Sequence, residues 1–298
     1  MSTPTRFVLV LAVVLAGPLA LRPTLAAGDP MALSQELDAD YSYVGGAPTH
    51  QGNAHLGDVT EQHADIKYVL VPQVSRDWLL RFGAEWQIFS FGVPGRIPFP
   101  DTLQQVNAVI GFDAQIADQW LLRVEWQPGV YGDLRDVDFR NFDAPLVIGG
   151  SYLASADLQW VFGMLIDLRS QFPVLPAPGV RWQFAGDWTL DLILPRPRLE
   201  FEVSERLQLY VGADVKTGTF TVGDHFGRDH GIPKLDHATL DYFEGRAGAG
   251  LVWKAWPTVS LEVEGGAMLA RWLDFLDKDV TLRSRPAPYL QIACRTRF

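Results

Sequence analysis

The chain carries the sequence DWLLRFGAEWQ at residues 77–87 and repeats most of it as QWLLRVEWQ at residues 119–127. Apolar side chains take every second position of the first copy: Trp78, Leu80, Phe82, Ala84 and Trp86. Because successive side chains of a strand point to opposite faces, this period of two predicts strands with one apolar and one charged face. Each copy is about as long as the roughly 9–11 residues of a membrane-crossing strand. The sequence therefore predicts an all-β fold, a transmembrane antiparallel up-and-down β-barrel.

The same alternation recurs along the chain and predicts about 14 strands, within a range of roughly 12–16. Two stretches interrupt it. A polar segment from Gly45 to about Glu61 reads as a loop, and the segment from about Thr217 to His237 reads as the longest loop. The spacing of the apolar residues from Leu269 to Leu276 is helical and predicts a short amphipathic helix in the last loop.

Short and long connections alternate along the predicted strands, as the periplasmic turns and external loops of outer-membrane barrels do. Seven of the ten tryptophans flank the short turns: Trp78, Trp120, Trp160, Trp182, Trp188, Trp253 and Trp256. Tryptophan at one rim is typical of a membrane interface. A soluble β-propeller or β-sandwich would account for the alternation, but not for this rim or for the unequal loops.

The first residues have the pattern of a signal peptide. Arg6 precedes the apolar run 7–16, and the small-residue motif Thr24-Leu25-Ala26 follows. We expect cleavage after about Ala26, which divides the chain into a signal peptide at residues 1–26 and a barrel domain at residues 27–298. The predicted location is the bacterial outer membrane.

The charge balance argues against a nucleic-acid partner. Loss of Arg6 and Arg22 with the signal peptide reduces 25 basic residues to 23, against 35 acidic residues, for a net charge of −12. Nucleic acids bind proteins with clustered Lys and Arg. The single cysteine, Cys294, excludes an internal disulfide. A mean hydropathy of +0.04 is compatible with a barrel, because alternation hides the apolar face.

Two resemblances extend this interpretation. The last residues, IACRTRF at 292–298, resemble the C-terminal strand of bacterial outer-membrane proteins, in which the terminal phenylalanine is read by the barrel-assembly machinery. That resemblance implies that Phe298 has the same role here. The segments LILPRPR at 192–198, LYVG at 209–212 and DYFEGR at 241–246 resemble an exported barrel family known only as a domain of unknown function. This second resemblance implies a barrel and supplies no chemistry.

Charged and polar residues of both signs occupy the face opposite the apolar one. We predict that these residues line a pore: Asp65, Lys67, Arg81, Glu85, Gln87, Arg123, Glu125, Asp167, Arg169, Arg181, Glu200 and Glu202. Rings of charge of this kind set selectivity in channels. The resulting hypothesis is a porin-like passive channel for small solutes. The alternative is a closed structural or adhesive barrel, without transport, whose external loops bind a partner or a metal.

All six histidines fall in or beside two connections, together with acidic residues. They are His50, His55, His63, His225, His230 and His237. Histidine with carboxylate can bind zinc, copper or nickel, but spacings of five to eight residues are equally typical of a solvated loop. No common hydrolase, phosphate-binding or Cys-x-x-Cys motif is present in the sequence. We therefore predict no enzyme and no cofactor, with membrane lipid, the assembly machinery and small solutes as partners, and we assign no oligomeric state.

Overall fold

A computed structural model describes residues 33–298. These residues form a closed antiparallel barrel of 14 strands, as predicted. The ring closes where β14 pairs with β1, for example Cys294 with Ala39. The strands are β1 Leu33–Gln51, β2 Ala54–Ser75, β3 Trp78–Gly92, β4 Thr102–Ala117, β5 Trp120–Trp126 with Gly129–Gly132, β6 Phe142–Asp143 with Leu146–Leu153, β7 Leu158–Ile166, β8 Val174–Ala185, β9 Trp188–Asp191, β10 Arg198–Ser204, β11 Leu207–Thr221, β12 Thr239–Trp256, β13 Val259–Phe275, and β14 Val280–Ser284 with Ala287–Arg297. The predicted signal peptide lies outside the described residues.

The alternating apolar and polar residues of the sequence form the outward and inward faces of the barrel wall. Phe82, Trp86 and Ile110 are outward and at least 40% exposed, and all seven tryptophans of the predicted rim are exposed as well. The short turns lie at the same end as both termini of the described chain, which we name the periplasmic end by analogy with outer-membrane barrels. None of the helices among the described residues has the length and apolar character needed to cross a bilayer.

The predicted loop at residues 45–61 is wrong, since β1 and β2 continue through it. Only Gly52 and Asn53 form the turn, and Gly52 takes the left-handed conformation with a φ of 58°. The segment has the polar composition of a loop because above a membrane the outward face of a strand meets water, although its inward residues Ala47 and Val59 are buried. The predicted loop from Thr217 begins only after β11 ends at Thr221, and it contains the helix α1, Phe226–Asp229, and a 3₁₀ turn, Pro233–Leu235.

The predicted amphipathic helix at residues 269–276 is also wrong, because β13 runs on to Phe275. A register shift places Gly245 opposite Ala270 and Arg246 opposite Met268, so Leu269 is the extra residue of a β-bulge. A bulge interrupts the alternation of faces by one position. That interruption turned a period of two into spacings of three and four, which resemble a helix.

The barrel is tall on one side and low on the other. Strand β2 has 22 residues, whereas β9 has 4 and β10 has 7. Above the low strands the top of β11 crosses to the top of β5, where Thr221 pairs with Gly132 in parallel. A Cβ on Gly132 would lie 2.4 Å from the carbonyl oxygen of Thr221, so a glycine is required for this approach. We call this contact the seam.

A hydrophobic core closes the extracellular end of the barrel. It joins inward-facing residues of the strand tops to residues of the external loops, and we call it the plug. Its members are Val59, Phe89, Phe91, Ile97, Phe99, Leu103, Tyr131, Phe220, Val222, Phe226, Leu235, Ala238, Leu240, Tyr242, Leu273, Phe275, Val280 and Leu282. Phe99, Leu103, Phe220 and Leu240 have no exposed surface. Such packing leaves no room for water-sized voids along its axis.

Candidate functional site

Beneath the plug, four charged side chains fill the side of the interior formed by β2, β12 and β13. Arg246 lies 2.5 Å from Glu244 and 3.1 Å from Glu61, and Arg271 lies 3.0 Å from Glu61. All four are fully buried. Removing a charged side chain from water costs several kcal/mol of desolvation free energy unless the charge is paired. The two arginines and two glutamates pair with one another. This part of the interior is therefore solid.

The other side of the interior holds a cavity of about 440 Å³. Near the periplasmic end it is lined by Glu36 and Arg297, whose side chains are 23% and 41% exposed. Toward the plug it reaches Tyr131 and Asp167. The cavity is therefore a chamber of mixed charged and apolar lining that extends from near the periplasmic end up to the plug.

The structure places most of the predicted pore-lining residues in the wall of this cavity. Those in the wall are Asp65, Lys67, Arg81, Glu85, Gln87, Arg123, Glu125 and Asp167. The remaining four lie elsewhere. Arg181 pairs with Asp191 and Glu200, Glu202 is exposed near a periplasmic turn, and Arg169 bonds to loop and strand-top groups outside the cavity.

The charges that line the cavity form ion pairs, some of which join strands that are not adjacent in the barrel. Lys67 of β2 donates to Glu125 of β5 at 2.5 Å, and Arg81 of β3 lies 3.4 Å from the same carboxylate. Arg123 of β5 donates to both oxygens of Asp113 on β4, at 2.6 and 2.7 Å. The Lys67–Glu125 pair bridges β2 and β5 above the inner face of β3 and β4, whereas Arg123 and Asp113 pair along adjacent strands.

The cavity also touches the outer face of the barrel, which the sequence did not predict. Thr217, Phe243 and Trp272 line it although they occupy outward positions. Val211, an outward residue lower on β11, is 54% exposed, which fixes the direction of this face. The signal in the sequence was the motif Pro195-Arg196-Pro197, which ends β9 and delays β10 and so leaves the wall low beside β11.

The structure separates the six histidines. His50 and His55 contact each other across the tip of the β1–β2 hairpin, with ring centroids 5.0 Å apart. His63, which was expected in or beside the first loop, lies within β2 and is buried inside the barrel, 3.2 Å from Asp40. His230 lies against Phe226, and His225 immediately precedes α1.

Among the described residues, one group brings three possible metal ligands together: Asp138, Asp224 and His237, with ligand atoms within 4.8 Å of one another. His237 lies 2.7 Å from Asp224. Arg140 already occupies Asp138 through a hydrogen bond of 2.7 Å, which lowers the pKa of that carboxyl. A metal ion would have to compete with this guanidinium.

Comparison with known proteins identifies the fold and leaves the chemistry open. The family model described as "Domain of unknown function (DUF6268)" matches residues 75–292. No curated protein matches the sequence. The crystal structure of the COG4313 outer membrane channel from Pseudomonas putida F1 superposes with a TM-score of 0.51 at 8% identity, covering 93% of this chain and 100% of that chain.

Two further barrels are more distant. The TodX monoaromatic hydrocarbon channel deltaS2 mutant gives a TM-score of 0.40 at 11% identity, with 91% of each chain covered. Acinetobacter baumannii OccAB4 gives 0.36 at 7% identity, covering 89% of this chain and 98% of that chain. At 8% identity, the similarity to the COG4313 channel supports the outer-membrane barrel fold alone.

Proposed function

This chain belongs to the DUF6268 family, a domain of unknown function, and we propose that it is a non-enzymatic channel for small solutes in the bacterial outer membrane. The observation that carries the proposal is the 440 Å³ cavity with charged walls. A cavity of several hundred cubic ångströms is large enough for a small organic solute. Salt bridges along the wall leave it polar without filling it.

The plug argues that the channel is closed toward the extracellular side in this conformation. Passage along the barrel axis would need displacement of fully buried side chains such as Phe99 and Phe220. We therefore expect the wild-type protein to give small or infrequent conductance steps in planar bilayers. The double variant Phe99→Ser, Phe220→Ser removes two plug side chains and should give larger steps.

The matched control is Phe139→Ser, which changes a phenylalanine that is 89% exposed in an external loop and is no part of the plug. It should conduct as the wild type does. Each sample is first checked for heat-dependent gel mobility, which reports a folded barrel. If the folded wild type and the folded double variant both fail to conduct, the channel proposal is wrong.

The closed extracellular end and the filled β12–β13 side also favour a second candidate, a structural or adhesive barrel without transport. Its external loops would supply the binding surface, including the exposed Phe139 and Val137. The bilayer experiment separates the two candidates, since conductance steps of the wild type itself support a channel, whereas a barrel without transport conducts only after the plug is removed.

A further inference from the structure

We infer that small amphipathic molecules reach the cavity sideways, from the outer leaflet of the membrane, through a gap in the wall between β8 and β11. This inference rests on the proposed channel function and names its substrate class. It starts from the pairing of the strands. Strand β10 pairs with β11 only as far as Gly212, and β8 residues 174–179 pair with β7 on one side only. Among the described residues, no strand fills the space between these two upper segments.

The gap has a hydrogen-bonded frame, which distinguishes it from a frayed edge. Below, the amide of Val215 donates to the carbonyl of Pro195 at 3.1 Å. Above, the β7–β8 connection reaches across, where Thr219 donates to Asp167 at 2.8 Å and the amide of Gln171 donates to Asp241 at 2.9 Å. We call the opening between these contacts the window.

The cavity passes through the window. Its wall includes inward residues of the barrel, Lys216 and Arg196, and outward residues of the same region, Phe243 and Trp272. One continuous space that touches both faces of a wall must cross it. Gly218, at the window, also lines the cavity.

The window lies at the level of the outer leaflet. Trp253 of the periplasmic rim and Phe243 are ten positions apart on β12 and share the outward face. A rise of about 3.3 Å per residue, on strands tilted by roughly 40°, separates them by about 25 Å, which is the height of the apolar band of such barrels. Phe243 stacks on Trp272 at 4.6 Å, as aromatic residues of an upper interface would.

The chemistry of the window indicates which molecules fit it. Its edges are apolar, with Phe172, Leu175 and Val215, and the adjoining loop exposes Leu168 by 81%. The window then leads past threonine hydroxyls to charged groups of the interior, among them Asp40, Asp214 and Lys216. Apolar edges accept an apolar body from lipid, and a cavity lined by ten acidic and seven basic side chains disfavours an anionic head. The expected substrate is a small amphipath that is uncharged or cationic.

The test uses intact cells, whose outer leaflet slows apolar molecules, and the uncharged aromatic amine N-phenyl-1-naphthylamine as probe. Cells with the wild-type protein should take up the probe faster than cells with an empty vector, measured as the initial rise of its fluorescence. The variant Leu175→Trp, Thr217→Trp fills the window and should lower the rate several-fold, close to that of the vector. The control Val211→Trp places the same side chain outward on β11 below the window and should keep the wild-type rate.

Equal amounts of heat-modifiable protein are compared throughout. The inference is overturned if the filled window transports the probe as fast as the wild type, if Val211→Trp slows it equally, or if the wild type does not exceed the vector. Planar-bilayer conductance of the plug variant, with and without the filled window, separates this result from failure of the channel proposal. If the plug variant conducts with the window filled, and the filled window still allows fast uptake of the probe, the lateral route is refuted and the channel proposal stands.

Discussion

The backbone of Gly132 at the top of β5 pairs in parallel with that of Thr221 at the top of β11. Gly132 lies on the fifth strand and Thr221 on the eleventh strand of an otherwise antiparallel barrel. The contact bypasses the strands between them and so reduces the circumference of the barrel at the extracellular end. The five strands between them, β6 to β10, end below it. The seam therefore narrows the plugged mouth, and it lies above the step in the wall that the short strands β9 and β10 leave beside β11.

The seam predicts an effect of a single methyl group. Gly132→Ala places a Cβ 2.4 Å from the carbonyl oxygen of Thr221, so β5 and β11 must separate. We expect a loss of about 1–3 kcal/mol in the free energy of unfolding, the usual range for overpacking, together with larger conductance steps. Gly186→Ala is the control, because nothing lies within 4 Å of its Cβ. Identical stability of the two variants would refute the role of the seam.

The two faces of β3 predict unequal costs for the same introduced charge. Phe82 is outward and 45% exposed, whereas Gln87 lines the cavity. Phe82→Arg should reduce the free energy of unfolding in lipid vesicles by roughly 2–4 kcal/mol, and Gln87→Arg by much less. Urea titration followed by tryptophan fluorescence measures both. Equal costs would mean that the register of the strand is shifted by one residue, since such a shift exchanges the faces.

The four buried charges under the plug predict a large effect from loss of one partner. Arg246→Met leaves Glu61 and Glu244 with one arginine between them, and breaking a buried ion pair costs about 3–5 kcal/mol. Arg135→Met breaks a pair with Asp101 in which both side chains are more than half exposed, and should cost less than about 1 kcal/mol. Chemical unfolding of both variants in the same detergent compares them. A small cost for Arg246→Met would show that water reaches this cluster.

The last residue predicts an effect on assembly. The amide and carbonyl of Phe298 exchange hydrogen bonds with Gln35, at 2.9 and 3.0 Å, where the ring closes. Deletion of Phe298 removes these bonds and the terminal aromatic ring, so it should leave export intact and lower the membrane-inserted fraction. Phe298→Ala keeps the backbone bonds and tests the ring alone. Heat-dependent gel mobility of membrane fractions reports insertion. If Phe298→Ala inserts normally and the deletion does not, closure matters and recognition of the ring does not.

The sequence by itself determined the strands. Alternation with a period of two is a local property that burial on one face preserves wherever a strand is regular, so a count of about fourteen strands and the outward tryptophan rim followed from residues such as Trp78 and Trp120. The same local reasoning failed at Leu269, where a bulge changes the spacing, and in the β1–β2 hairpin, where strands continue into water.

The tertiary structure alone decided what the interior contains. Inward direction follows from alternation, but the plug depends on contacts between residues far apart in the chain, such as Phe89 with Phe220 at 6.3 Å between ring centroids. The window likewise depends on how far each strand extends beyond its neighbour, and on the parallel contact of Gly132 with Thr221. The motif Pro195-Arg196-Pro197 marks the break between β9 and β10 in the sequence, but the plug and the window themselves depend on ring closure, which places strands side by side that sequence order keeps apart.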